Sequence, residues 1–102
     1  MDTILTRDAN QTIVCIKGRF ATDEAASFLK KIDPLMQKDS VEEVVMDLAE
    51  LEFISSAGIR CFVMFLKACE VNGSTLRLRN LTPQLKDIFS LTALLDKFTI
   101  EQ

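Results

Sequence analysis

The stretch from Val44 to Val71, VVMDLAELEFISSAGIRCFVMFLKACEV, constrains the fold more than any other part of the chain. It opens on Val44, Val45 and Met46, a short apolar run ending at Asp47 and Leu48, which is how a strand covered on both faces reads. It closes on a longer apolar segment from Ala57 to Val71, free of proline and too long for one strand, and so a helix. Between them lies FISSAGI, where a hydroxyl pair and a glycine stand at the passage from strand to helix. Such a junction leaves backbone N–H groups unpaired under the positive end of the helix dipole. It suits a serine hydroxyl as a cap and equally tolerates a phosphate. The residues alone leave both readings of Ser56 open: an N-cap worth about 1 kcal/mol, or a hydroxyl available for modification.

The flanking sequence supplies the rest of an alternating fold. Thr3 to Arg7 is a short candidate strand, Asp8 to Gln11 a polar turn, and Thr12 to Lys17 a β-branched strand ending at Gly18, which together predict a hairpin. Thr22, Asp23 and Glu24 give an N-cap followed by first-turn acids. Ala25, Phe28, Leu29, Ile32 and Met36 then share one helical face, with Lys30, Lys31 and Asp33 opposite, the pattern of an amphipathic helix lying on a sheet. Pro34 predicts a kink rather than an end, because the apolar spacing continues to Met36. Gln37 to Ser40 reads as a return loop. After the central helix, Asn72-Gly73 predicts a left-handed C-cap. Thr75 to Arg79 alternates as a strand with one wet face. Thr82-Pro83 gives a cap with proline at the first helical position, and Leu85, Ile88 and Phe89 form that helix's apolar stripe. Leu91 to Leu95 adds a further helical turn and Lys97 to Ile100 a last short strand. The order β-β-α-β-α-β-α-β predicts an α/β fold, a mixed sheet with helices packed on it, as one domain over residues 1–102.

What the chain lacks narrows the chemistry. It has no histidine, which removes Ser-His-Asp and Cys-His nucleophiles and His-ligated metal sites. Three glycines, at 18, 58 and 73, cannot build a phosphate loop. No acidic pair sits in an apolar context that would shift its protonation. The expectation is a protein that is not an enzyme and needs no cofactor. A formal net charge of -3 argues against nucleic acid, whose binders carry a basic excess. No apolar run approaches the ~20 residues needed to cross a bilayer, and the N-terminus has no signal-peptide core. Cys15, Cys61 and Cys69 stand at apolar positions without C-x-x-C spacing, which predicts buried free thiols and a cytoplasmic location.

On a helical projection, Ile59, Phe62, Phe65, Leu66 and Cys69 cluster on the core side of the central helix. Arg60 and Lys67 fall close to the direction of Ser56, with Glu70 at the flank. Ala57, Met64, Ala68 and Val71 make a shoulder between these arcs. It has two readings, packing against a neighbouring helix or, for Ala57 and Met64 edged by Arg60, part of a partner footprint. Gly58 allows either close packing of the helix start or the approach of a partner backbone.

Ile16-Lys17-Gly18, the D-L-x-x-L-x-F-I-x-S-x-G-I core and the N-G-x-x-L-x-L strand entry together resemble the STAS domain, in particular the small bacterial anti-sigma factor antagonists. The resemblance covers nearly the whole chain. It implies that Ser56, two residues before the motif glycine, is phosphorylated by a partner anti-sigma factor serine kinase of the GHKL type. The unphosphorylated form would bind that kinase and free its sigma factor, and a PP2C-type phosphatase would reset the switch. The chain departs from the family pattern in two stretches. Ser55 and Ala57 stand where relatives often carry an acid and a hydroxyl residue, which leaves Ser55 as a rival acceptor. Ala21, followed by Thr22 and Asp23, stands where an acid is frequent. The partner-binding residues expected on this basis are Thr22, Asp23, Ser55, Ala57, Gly58, Arg60 and Met64. The alternative function is a constitutive STAS scaffold subunit of a larger assembly, such as a transporter ATPase, without phosphorylation. The two differ at Ser56, where only the switch predicts that an aspartate abolishes partner binding while an alanine retains it.

Overall fold

The computed structural model describes residues 1–8, 11–36, 43–91 and 99–101. The chain runs β1 (Asp2–Asp8), β2 (Gln11–Phe20), a 3-10 turn (Thr22–Glu24), α1 (Ala25–Met36), β3 (Glu43–Asp47), β4 (Leu51–Ile54), α2 (Ser56–Asn72), β5 (Thr75–Arg79), α3 (Pro83–Leu91) and β6 (Thr99–Glu101). The six strands form one mixed sheet in the order β1-β2-β3-β5-β6, with β4 paired to β2. β1 is antiparallel to β2, and every other pairing is parallel. The mixed α/β architecture expected from the sequence is the one found.

β2 organises the sheet because it serves two parallel neighbours in succession. Its first half, Gln11–Cys15, pairs with β3, and its last residues, Gly18–Phe20, pair with β4. The handover is made at Gly18, where φ is +94° and the register shifts. Only glycine adopts that region without strain, and an extra residue there bends the strand. The expectation that Gly18 ends the strand is therefore corrected: the strand passes through a bulge and continues to Phe20.

The expected element order is corrected in the same place, since it contains no counterpart of β4. Leu51-Glu52-Phe53-Ile54 is buried at its two ends and exposed between. It does not alternate in period two, and so carries no strand signal of its own.

The core lies between one face of the sheet and the three helices of the described residues. Val14, Ile16, Phe20, Val44, Met46, Leu51, Ile54, Leu76 and Leu78 from the strands meet Phe28 and Ile32 of α1. Cys61, Phe62, Phe65, Leu66 and Cys69 of α2 and Leu85 and Phe89 of α3 complete the same cluster. Four phenylalanines tie the layers together, with ring centroids 5.0 Å apart for Phe20–Phe28, 6.0 Å for Phe20–Phe62 and 6.1 Å for both Phe28–Phe62 and Phe62–Phe89. Val44, Val45 and Met46 are all fully buried, as a strand covered on both faces requires. The other sheet face carries half-buried ion pairs, Arg77–Glu43 at 3.3 Å and Arg79–Asp47 at 3.4 Å.

The helix ends follow their caps, with one exception. Thr82 Oγ1 accepts from the Leu85 N–H at 3.3 Å, and Pro83 opens α3. Gly73 closes α2 at φ 74°, ψ 16°, its N–H bonded to the carbonyls of Cys69 and Glu70. The exception is at Thr22. Ala21 holds the cap position of the 3-10 turn without any side-chain bond, and Thr22 lies inside the turn. The first-turn acids still suit its positive end. α1 continues through Pro34 to Met36, so the proline does not end it; it lies close enough to the C-terminus to remove only one helical hydrogen bond. The return loop over 37–40 and residues 92–95 of the expected last helical turn lie outside the described residues.

Candidate functional site

The carboxyl end of β2 carries the site. There the Ser55 N–H donates to the Phe20 carbonyl at 2.8 Å, which pins the junction between β4 and α2 to the strand beside it. The 3-10 turn follows directly from Phe20 and contacts α2. Thr22 and Asp23, both exposed, are thus brought to the same end of the molecule as the serine pair, although they are far from it in sequence.

Within that pair the structure divides the labour. Ser55 is extended, at φ -80° and ψ 168°, and its Oγ accepts from the Gly58 N–H at 3.2 Å. Its carbonyl accepts from the Ile59 N–H at 3.0 Å. Those are the properties of an N-cap. The reading of Ser56 as the cap is corrected by one residue: Ser56 is the first helical residue, is exposed, and its hydroxyl has no partner among the described residues. Either serine of the pair satisfies the sequence rule for a cap; the backbone turn after Ile54 selects the first.

Gly58 is buried. A Cβ there would stand 2.7 Å from Ile54 Cγ1 and 2.8 Å from Phe20 Cδ1, which is closer than packed atoms approach. Of its two readings, close packing of the helix start is the one the geometry meets.

The exposed side of α2 forms a ridge. Ser56, Arg60, Met64, Lys67 and Val71 are all exposed. With about 3.6 residues per turn they fall within a quarter-turn of one another. Met64 is 46% and Val71 86% exposed, so at these positions the shoulder is not covered by another helix. α1 meets α2 on the other flank, through Phe28 on Phe62 and a long contact from the Cys61 thiol to the Ala25 carbonyl at 3.9 Å. Ala57 and Ala68 are half-buried between ridge and core.

On the reverse of the β2–β4 ribbon, the Arg19 guanidinium stacks over the exposed Phe53 ring, 4.5 Å from its centroid. No sequence spacing pairs these two, since they become neighbours only through the register beyond the bulge.

Chemistry is otherwise subdued. Burial pushes the thiols of Cys61 and Cys69 up, the latter to about 11, and all three cysteines are unpaired. Cys61 and Cys69 are buried as expected, while Cys15 is only half-buried. Burial also works against the Asp47 carboxylate, but hydrogen bonds from Asn80 and the Ala49 N–H, with Arg79 beside it, outweigh that and leave its pKa lowered. This carboxylate joins two loops at the strand ends, accepting from Asn80 at 3.0 Å and Ala49 at 3.1 Å. Among the described residues no group of His, Cys, Asp or Glu could hold a metal. No helix among them is long and apolar enough to cross a membrane.

The STAS domain family model matches residues 3–102. The chain belongs to the STAS domain family. A relative of this STAS domain is BtrV of Bordetella bronchiseptica, named as an anti-sigma factor antagonist, 27% identical over 88 residues that cover 86% of this chain and 75% of that protein. Among solved structures it resembles a Thermotoga maritima protein described as an anti-sigma factor antagonist, with a TM-score of 0.86 at 18% identity, over 98% of this chain and 86% of that one. It also resembles SpoIIAA of Bacillus, at 15% identity in each case. The TM-score is 0.83 for the unphosphorylated form and 0.77 for the phosphorylated form, over 99% of this chain and 89% and 92% of those chains. At these identities the structural likeness establishes the fold of the STAS domain.

Proposed function

We propose that this STAS domain is an anti-sigma factor antagonist acting in the cytoplasm, and that Ser56 is its switch. In the unphosphorylated form it binds an anti-sigma factor that is also a GHKL-type serine kinase, and so releases a sigma factor. Phosphorylation of Ser56 abolishes that binding, and a PP2C-type phosphatase restores it. The observation that carries the reading is the separation of roles within the serine pair. Ser55 supplies the cap, so the Ser56 hydroxyl is exposed and unbonded and can be modified without undoing the helix start. The names of the relatives in the family support the same role.

The physical consequence follows from charge. A phosphate adds about -1.5 to -2 at neutral pH. At the first helical residue, the dipole and the remaining free N–H groups accommodate that charge, so the fold itself tolerates it. A partner docked on Ala57, Arg60 and Met64, with Thr22 and Asp23 at the margin, would have to desolvate the dianion. If the partner offers acids or apolar groups there, binding is lost.

The test uses purified GHKL-type kinases of the same organism. A kinase that phosphorylates the wild type but not Ser56→Ala, and that binds the wild type and Ser56→Ala but not Ser56→Asp, is the expected result. Phosphate on Ser55 would move the switch by one residue. Equal binding by the wild type and both variants would sink the switch and favour a constitutive scaffold.

A further inference from the structure

Ser56 and Arg60 are one helical turn apart on the exposed ridge of a regular helix of 17 residues. Side chains at i and i+4 are neighbours on a helix surface, and here both point into solvent. Arg60 forms no ion pair among the described residues; the salt bridges found there are all on the sheet or at the chain start. Its guanidinium is therefore uncommitted, and it is the nearest cation along the ridge, since Lys67 lies two turns further on.

We infer that Arg60 is the internal counter-ion of a phosphate carried on Ser56. The inference rests on the reading of Ser56 as the phosphoacceptor. A guanidinium meets phosphate oxygens through paired N–H donors, and the Arg60 side chain is long enough to fold back over one turn. The pairing gives the modification a second effect. In the unmodified protein Arg60 is free for a partner. Once Ser56 is phosphorylated, the same event that adds negative charge withdraws the nearest positive charge from the docking surface. Arg60 then acts as a positioning residue: it holds the phosphate against the ridge and does not take part in phosphoryl transfer.

The test bypasses any kinase by incorporating phosphoserine at position 56 during translation. The phosphate is titrated by phosphorus NMR at low salt in the otherwise wild-type chain, in Arg60→Gln and in Lys67→Gln. Each substitution removes one exposed cation from the same helix. Pairing predicts that the second ionisation midpoint rises by about 0.2 to 0.4 pH unit in Arg60→Gln. It should stay in place in Lys67→Gln, and the difference should shrink at high salt. Equal midpoints in the otherwise wild-type chain and Arg60→Gln would overturn the pairing. An equal rise in both variants would also overturn it, because the effect would then be one of net charge. Failure to find a kinase for Ser56 would count against the proposed function and leave this comparison intact.

Discussion

The Ser55 hydroxyl accepts from the Gly58 N–H at 3.2 Å, while the adjacent Ser56 hydroxyl bonds to nothing among the described residues. Two chemically identical side chains are thus given different work by a single step along the backbone. Ser55→Ala should lower stability by about 1 kcal/mol. Ser56→Ala should stay within roughly 0.5 kcal/mol of the wild type. Urea unfolding of the two variants decides it, and equal losses would mean that the cap is shared.

Gly58 and Phe20 set a second limit. A methyl group on Gly58 would press on a ring that is itself wedged between Phe28 and Phe62. Overpacking typically costs about 1–3 kcal/mol, against about 1 kcal/mol gained in helix propensity. Gly58→Ala should therefore be net destabilising, with Gly58→Val worse, as thermal midpoints would report. A stabilised Gly58→Ala would show that Phe20 and Ile54 yield more easily than their burial suggests.

Gly73 offers the opposite case, since nothing lies within 4 Å of where its Cβ would be and its φ is +74°. Any cost of Gly73→Ala is conformational, about 1–2 kcal/mol for a left-handed residue. Gly73→Asn should lose less, because asparagine tolerates that region. Denaturant midpoints of the pair measure the difference, and equal losses would point to the hydrogen bonds of the cap instead.

Asp47 makes stability depend on acid. Its carboxyl titrates below the ordinary value of 3.8 in the folded protein. The stabilisation it supplies is therefore complete above that value and is lost as pH falls through it towards the lower folded value. The difference in unfolding free energy between wild type and Asp47→Asn should be constant near neutrality and shrink below about pH 4. A constant difference down to pH 3 would mean that the carboxylate gains nothing from Arg79 and Asn80.

Burial and period made much of this legible in the sequence. Val44-Val45-Met46 reads as an inner strand because no polar residue interrupts it, and Thr75–Arg79 alternates because one of its faces is wet. Thr82-Pro83 and Asn72-Gly73 mark helix ends by local backbone chemistry that needs no distant partner. The common direction of Ser56, Arg60 and Lys67 was likewise available from helical spacing alone, whereas exposure joined Met64 and Val71 of the shoulder to the same ridge.

What failed to show was whatever depends on a partner strand. β4 has no alternation of its own and exists because the bulge at Gly18 turns the last residues of β2 towards it. The same register brings Arg19 over Phe53 and fixes Ser55 to the Phe20 carbonyl. It also brings Thr22 and Asp23 to the end of the molecule where the serines lie. The sequence by itself determined the three described helices, the strands that alternate or are buried throughout, the caps at Thr82-Pro83 and Asn72-Gly73, and the presence of a hydroxyl pair at a helix start, since these are set by interactions within a few residues. Only the tertiary structure decided which serine caps and which is left exposed, because that choice is made by a hydrogen bond between segments more than thirty residues apart.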